Sequence, residues 1–204
     1  MSNQSAVILA VLAALAAAAQ ALAPAHWVPA SVMAWQRGWS VARSGFFAAI
    51  ALMLHVLLGV AIFFIFEDTL VSIRGRALAV FTLLLIGVAL AVRLVRFPRM
   101  NEVFRAGPNG AWSLVSVLWI LGPCELIIPV LIKARQVGIG YLVPLVSFGA
   151  ATLVVGVATV VAGRIMWNKP LLLPRGISWG TEGRALLPVL AGLAIGLGAM
   201  LRLA

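Results

Sequence analysis

Glu125 lies inside an apolar stretch. Eleven apolar or small residues precede it from Leu114, and seven apolar or proline residues follow before Lys133. A carboxylate in hydrocarbon is costly unless it is paired, protonated or turned to a cavity. Such a residue is either an ion or substrate ligand or a hydrogen-bonding bridge to a neighbouring helix. Pro123 beside it removes a backbone donor and frees carbonyls that then need partners. Cys124 adds a thiol, which on its own reads as a small buried hydrophobe. The only two histidines, His26 and His55, also sit in apolar surroundings, where each could be a neutral core side chain donating to a carbonyl. Imidazole, thiolate and carboxylate together suit Ni²⁺, Co²⁺, copper or Zn²⁺, so His26, His55, Cys124 and Glu125 form a candidate metal-ligand set and ion path. Gln20, about one helical turn before Pro24, is a candidate for orienting that set, and Thr152 is another by its place in the repeat described below. Met33 and Met53 could help a soft ion, although Met in a span is more often filler.

The elements that must position these residues are apolar runs. Hydrophobic residues make up 64% of the 204 and charged residues 10%, with mean hydropathy +1.14. A soluble domain has roughly a quarter of its residues charged and could not cover this much apolar surface. The expected fold is therefore an all-α polytopic membrane protein, one transmembrane domain over residues 1–204 with about six spans. The runs are Val7–Leu22 with its continuation to Trp35, then Phe46–Phe66, Ala77–Leu94, Leu114–Ile132, Tyr141–Ala162 and Ala185–Met200. The first lacks a basic segment before it and is expected to stay as a span rather than be cleaved. Pro24 and Pro29 break or kink the first run, and Pro123 and Pro129 the fourth.

The net charge of +10 does not imply nucleic acid. The basic residues cluster between apolar runs, where they meet headgroups or set orientation. With the N-terminus outside, ten basic residues fall in inner connections and five in outer ones or the tail, which favours both termini outside. Arg93 and Glu67 read as rim residues whose side chains reach the headgroups. Trp35, Trp39, Trp112, Trp167 and Trp179 read as interfacial anchors. Gly149, Gly156 and Gly163 recur every seven residues, as close helix packing would require. One cysteine excludes an internal disulfide. No Walker loop, dinucleotide fingerprint, HExxH or CxxCH occurs, and no enzyme is expected.

The halves 7–100 and 110–204 echo each other. Ala23-Pro24-Ala25-His26-Trp27-Val28-Pro29 and Gly122-Pro123-Cys124-Glu125-Leu126-Ile127-Ile128-Pro129 each place an ionisable residue two positions after a proline, with another proline following. Each leads to a basic turn containing Gly38 or Gly138. His55-x-x-x-Gly59 then stands where the second half has Thr152-x-x-x-Gly156. Three spans per half would lie inverted in the membrane, a plan in which broken helices meet near the midplane and present helix ends to an ion or polar solute. Two unrelated proline kinks would give the same local pattern.

The stretch Ala21 to Pro29, with Gln36-Arg37-Gly38-Trp39-Ser40, Leu54-His55-Val56 and Gly122-Pro123-Cys124-Glu125, resembles six-span nickel/cobalt-transporter and urease-accessory-like membrane proteins. These are related to sulfite exporters and the lysine-exporter superfamily. The resemblance covers about residues 15–165. It implies a permease for a transition-metal ion or small anion in a bacterial inner membrane. The family's first motif has the form His-Ala-x-x-Pro-Asp-His; here Gln20 stands at its first histidine, Ala25 at the aspartate, and Leu126 where a proline usually follows Glu125. The expected function is a metal-ion permease. The replaced ligands also point to a non-transporting subunit or assembly factor of a larger complex, and the family to a small-anion permease. Expected partners are the bilayer and either further copies or other membrane subunits.

Overall fold

The computed structural model describes residues 3–96 and 111–166, and the regular secondary structure within these is all helical. In chain order the helices are α1 (Asn3–Leu22), α2 (Pro24–Gln36), α3 (Val41–Ile65), α4 (Glu67–Val71), α5 (Arg76–Arg96), α6 (Ala111–Leu121), α7 (Ile127–Gln136) and α8 (Leu142–Met166). Among the described residues four stretches are long and apolar enough to cross a membrane: Gln4–Leu22, Val41–Ile65, Arg76–Arg93 and Leu142–Met166. The fold is thus an all-α polytopic membrane protein.

Four spans rather than six follow from two causes. The expected fourth span is cut into α6 and α7, whose 11 and 10 residues are each too short to cross a bilayer alone. The expected sixth run, Ala185–Met200, lies outside the described residues, as do Trp167, Trp179 and the whole Asn101–Gly110 connection. The first run divides at Ala23, whose extended backbone ends α1 before Pro24 opens α2. Proline fits there because the first helical position has no intrahelical use for an N–H.

Apolar bulk faces outward and small residues face inward. Ile65, Leu142 and Val154 are each 71% exposed, as side chains turned to lipid would be. Ala13, Ala17, Ala48 and Ala51 are sealed inside. α1 runs along α8 more extensively than any other pair packs, and α2 and α3 lie against α8 as well. Gly156 admits the Leu52 side chain and Gly163 admits Trp27, the close approach expected of small residues between membrane helices. Gly149 faces open space, so the seven-residue recurrence does not extend to it. Trp35 and Trp112 are exposed as anchors should be. Trp39 is not: it is buried against Phe47, with the Arg43 guanidinium 4.8 Å from its ring centre.

The turns after α2 and α7 share one backbone design. Arg37 N–H donates to Met33 O and Val137 N–H to Lys133 O; Trp39 N–H donates to Ala34 O and Ile139 N–H to Ala134 O. Gly38 and Gly138 sit between them with φ of +62° and +68°. This is the left-handed helix stop that glycine adopts without steric cost. A 25-residue helix follows each turn, α3 in one case and α8 in the other. Nothing lies within 4 Å of a Cβ added at Gly38, and Gly138 shares its left-handed backbone. Gly38→Ala is therefore expected to lose about 1 kcal/mol from backbone strain alone, and Gly138→Ala, with the same backbone, at least as much. Thermal unfolding in mild detergent measures this, and a neutral result at either site would contradict the shared design.

On the face where α3 gives way to α4, polar contacts tie the short helix down. Gln136 Nε2 donates to Val71 O and Ile73 O at 3.2 and 2.7 Å, the Tyr141 hydroxyl donates to Glu67, and Arg135 pairs with Glu67 at 3.5 Å. Glu67 is partly exposed, which fits a rim residue.

Candidate metal centre

Three elements bring His26, His55 and Glu125 together. His26 is in the first turn of α2, directly after the Ala23 break. His55 is midway along α3. Glu125 lies in the irregular segment between α6 and α7. Each can offer one ligand atom such that all three atoms lie within 4.8 Å of one another, and all three residues are buried. The imidazole rings meet edge to face with centres 5.3 Å apart.

The second break explains how Glu125 reaches this place. Gly122 takes φ +69° and closes α6 with its N–H on Leu118 O. Pro123 then carries the chain out of helix, and two freed backbone groups find partners on α3. Cys124 N–H donates to His55 O at 3.0 Å. Gly122 O accepts from His55 Nδ1 at 2.7 Å. One turn further along α3, a Cβ on Gly59 would stand 2.3 Å from Cys124 O, so only glycine lets the break lie this close. The His55-x-x-x-Gly59 spacing is thus a docking site for the broken segment.

Hydrogen bonding decides which ring nitrogens are free. Gly122 O can only accept, so His55 carries its proton on Nδ1 and keeps a lone pair on Nε2 when neutral. His55 Nε2 and His26 Nδ1 are buried without a hydrogen-bond partner among the described residues. His26 Nε2 lies 3.0 Å from the Gln20 amide. The other amide atom of Gln20 lies 3.4 Å from Cys124 Sγ. A half-turn of that amide sets the tautomer. With its oxygen toward His26, Nε2–H donates and the Nδ1 lone pair is free to bind a metal. In that orientation Gln20 fixes the His26 ring from the side away from the group.

Glu125 is held by Arg93. Arg93 Nη1 donates to Oε1 at 2.7 Å and Nη2 to Oε2 at 2.8 Å, a two-pronged pair buried on both sides. Nε and Nη2 also donate to Leu121 O, a free carbonyl at the end of α6. The reading of Arg93 as a headgroup-seeking rim residue is therefore wrong: it is 5% exposed. Sequence carried one sign of this, since Arg93 lies inside its apolar run and a buried carboxylate needs a cation. Arg96 does behave as a boundary residue, donating to Trp119 O with its guanidinium 4.9 Å from the indole centre.

The remaining candidates are placed as follows. Cys124 is fully buried but stands outside the group of three, its thiol directed to Gln20. Thr152 is buried on α8 with no hydrogen-bond partner among the described residues, so it makes no bond to the group. Met33, on α2, is sealed in the core, while Met53 is 39% exposed on the outer surface. Of the helix-breaking prolines, Pro24 opens α2, Pro123 lies in the second break, and Pro29 and Pro129 are accommodated within α2 and α7.

Fold and site together define a polytopic α-helical membrane protein with a buried His/His/Glu group able to chelate a metal ion. Comparison with family models, curated proteins and solved structures finds no match to this chain.

Proposed function

We propose that the chain is a membrane permease for a transition-metal ion, bound where the breaks after α1 and α6 meet α3. The observation that carries this reading is the pair of unpartnered imidazole nitrogens in a buried site that also holds Glu125. Most buried polar atoms in proteins are hydrogen-bonded, and two ring nitrogens converging with a carboxylate match the ligand preferences of late transition metals. The matching turns at Gly38 and Gly138, each followed by a 25-residue helix, support two inverted repeats, α1–α3 and α6–α8, as the framework. On this reading the likeness to nickel/cobalt-transporter proteins reflects common descent.

The test is metal content and uptake in proteoliposomes. His26→Ala and His55→Ala are expected to weaken metal retention by about 100-fold or more, since loss of supporting groups alone costs 10- to 100-fold. Uptake should fall in parallel, with His26→Ala unfolding near the wild-type temperature and His55→Ala somewhat below it, because Gly122 O loses its donor. Unchanged uptake in both variants rejects the permease reading. The Arg93–Glu125 pair favours one other reading, a non-transporting subunit in which the cluster is a structural brace. Absence of any His-dependent metal binding would favour that subunit.

A further inference from the structure

We infer that the site takes a soft monovalent ion, Cu(I) or its analogue Ag(I), in preference to a divalent ion. This deepens the metal-permease reading and rests on it. The argument is a charge count. Glu125 is the only buried carboxylate among the described residues, and both its oxygens are taken by Arg93. The two charges cancel. His26 and His55 contribute neutral lone pairs, and Gln20 and the Cys124 thiol are neutral neighbours. The centre therefore starts at zero net charge.

A divalent ion would leave two uncompensated positive charges beside the Arg93 guanidinium. The cost of burying charge rises with its square, so a monovalent ion carries about a quarter of that burden. Coordination leads the same way. Soft d¹⁰ monovalent ions are satisfied by two neutral nitrogen donors placed on opposite sides, and do not require Glu125 to leave Arg93. Divalent first-row ions need more ligands and compete for that carboxylate. The Cys124 thiol lies outside this donor set, beside the Gln20 amide.

The experiment uses the full chain in phospholipid nanodiscs. The probes are silver nitrate, Cu(I) under ascorbate with a chromophoric Cu(I) chelator as competitor, and Ni²⁺, Co²⁺ and Zn²⁺ salts. Bound metal is measured by mass spectrometry. Ag(I) and Cu(I) are expected to bind stoichiometrically and about 100-fold more tightly than any divalent ion, with His55→Ala abolishing the binding. Arg93→Gln should narrow the gap by raising divalent affinity about tenfold, because Glu125 is released as a ligand. Divalent binding as tight as Ag(I) binding and dependent on His55 overturns the monovalent preference while leaving the metal site standing. No binding by any ion overturns the metal reading itself.

Discussion

Glu125→Leu is expected to lower stability by about 3–5 kcal/mol, and Glu125→Leu with Arg93→Leu to recover most of that loss. The pair is buried on both sides and joined by two short hydrogen bonds. Removing the carboxylate leaves a guanidinium that cannot shed its proton, surrounded by α5, α6 and the break. Arg93→Leu alone should cost less, because an isolated carboxyl group can take up a proton and become neutral. It still strips Leu121 O of its donors, so the single change is not silent. Glu125→Gln should fall between, since the amide oxygen can still accept one of the two bonds. Equilibrium unfolding of all four variants gives the coupling energy directly. Strictly additive losses would mean that the two side chains do not act as a unit.

The second large effect is expected at Gly59. Gly59→Ala should destabilise by about 2–3 kcal/mol, the upper part of the usual range for overpacking. The added methyl would meet Cys124 O at 2.3 Å and the Ile127 side chain at 2.7 Å. The first obstacle is backbone, which cannot turn aside without carrying Gly122 and Glu125 with it. The bond from His55 to Gly122 O would then lengthen, and metal retention should fall at least about tenfold. Gly156→Ala is the control. Its new methyl meets only the end of the Leu52 side chain, which can change rotamer, so about 1 kcal/mol is expected. Equal losses at the two positions would remove the special role given to Gly59.

Much of this arrangement was legible from residue order. Runs such as Phe46–Phe66 declare membrane helices because lipid tolerates nothing else at that length. Proline reports breaks because its ring chemistry is local, and both breaks fall where Pro24 and Pro123 stand. His26, His55 and Glu125 stood out as polar groups with no reason to be in hydrocarbon. Partnerships across the chain were harder to read. Arg93 and Glu125 are 32 residues apart, and nothing near either one names the other. An arginine close to the end of a run satisfies the snorkelling rule equally well until the neighbouring helix is known. The short length of α6 and α7 was hidden for the opposite reason, since hydropathy from Leu114 to Ile132 is continuous across a break that only Gly122 and Pro123 mark. Gly59 looked like ordinary packing, because a motif does not say which backbone will lie against it.

The two breaks differ in self-sufficiency, and that difference bears on the order of assembly. At Ala23 the chain repairs itself: Ala23 N–H reaches Gln20 O and His26 N–H reaches Ala23 O, both within the same segment. At Gly122 and Cys124 the repair comes from His55, on a helix made much earlier in synthesis. Bare peptide groups are not tolerated in hydrocarbon, so the segment from α6 to α7 cannot settle at depth until α3 is already there. Translation from the N-terminus supplies the helices in that sequence. The earlier helices serve as a template on which the later, broken segment is received, and the group of His26, His55 and Glu125 is complete only after that reception.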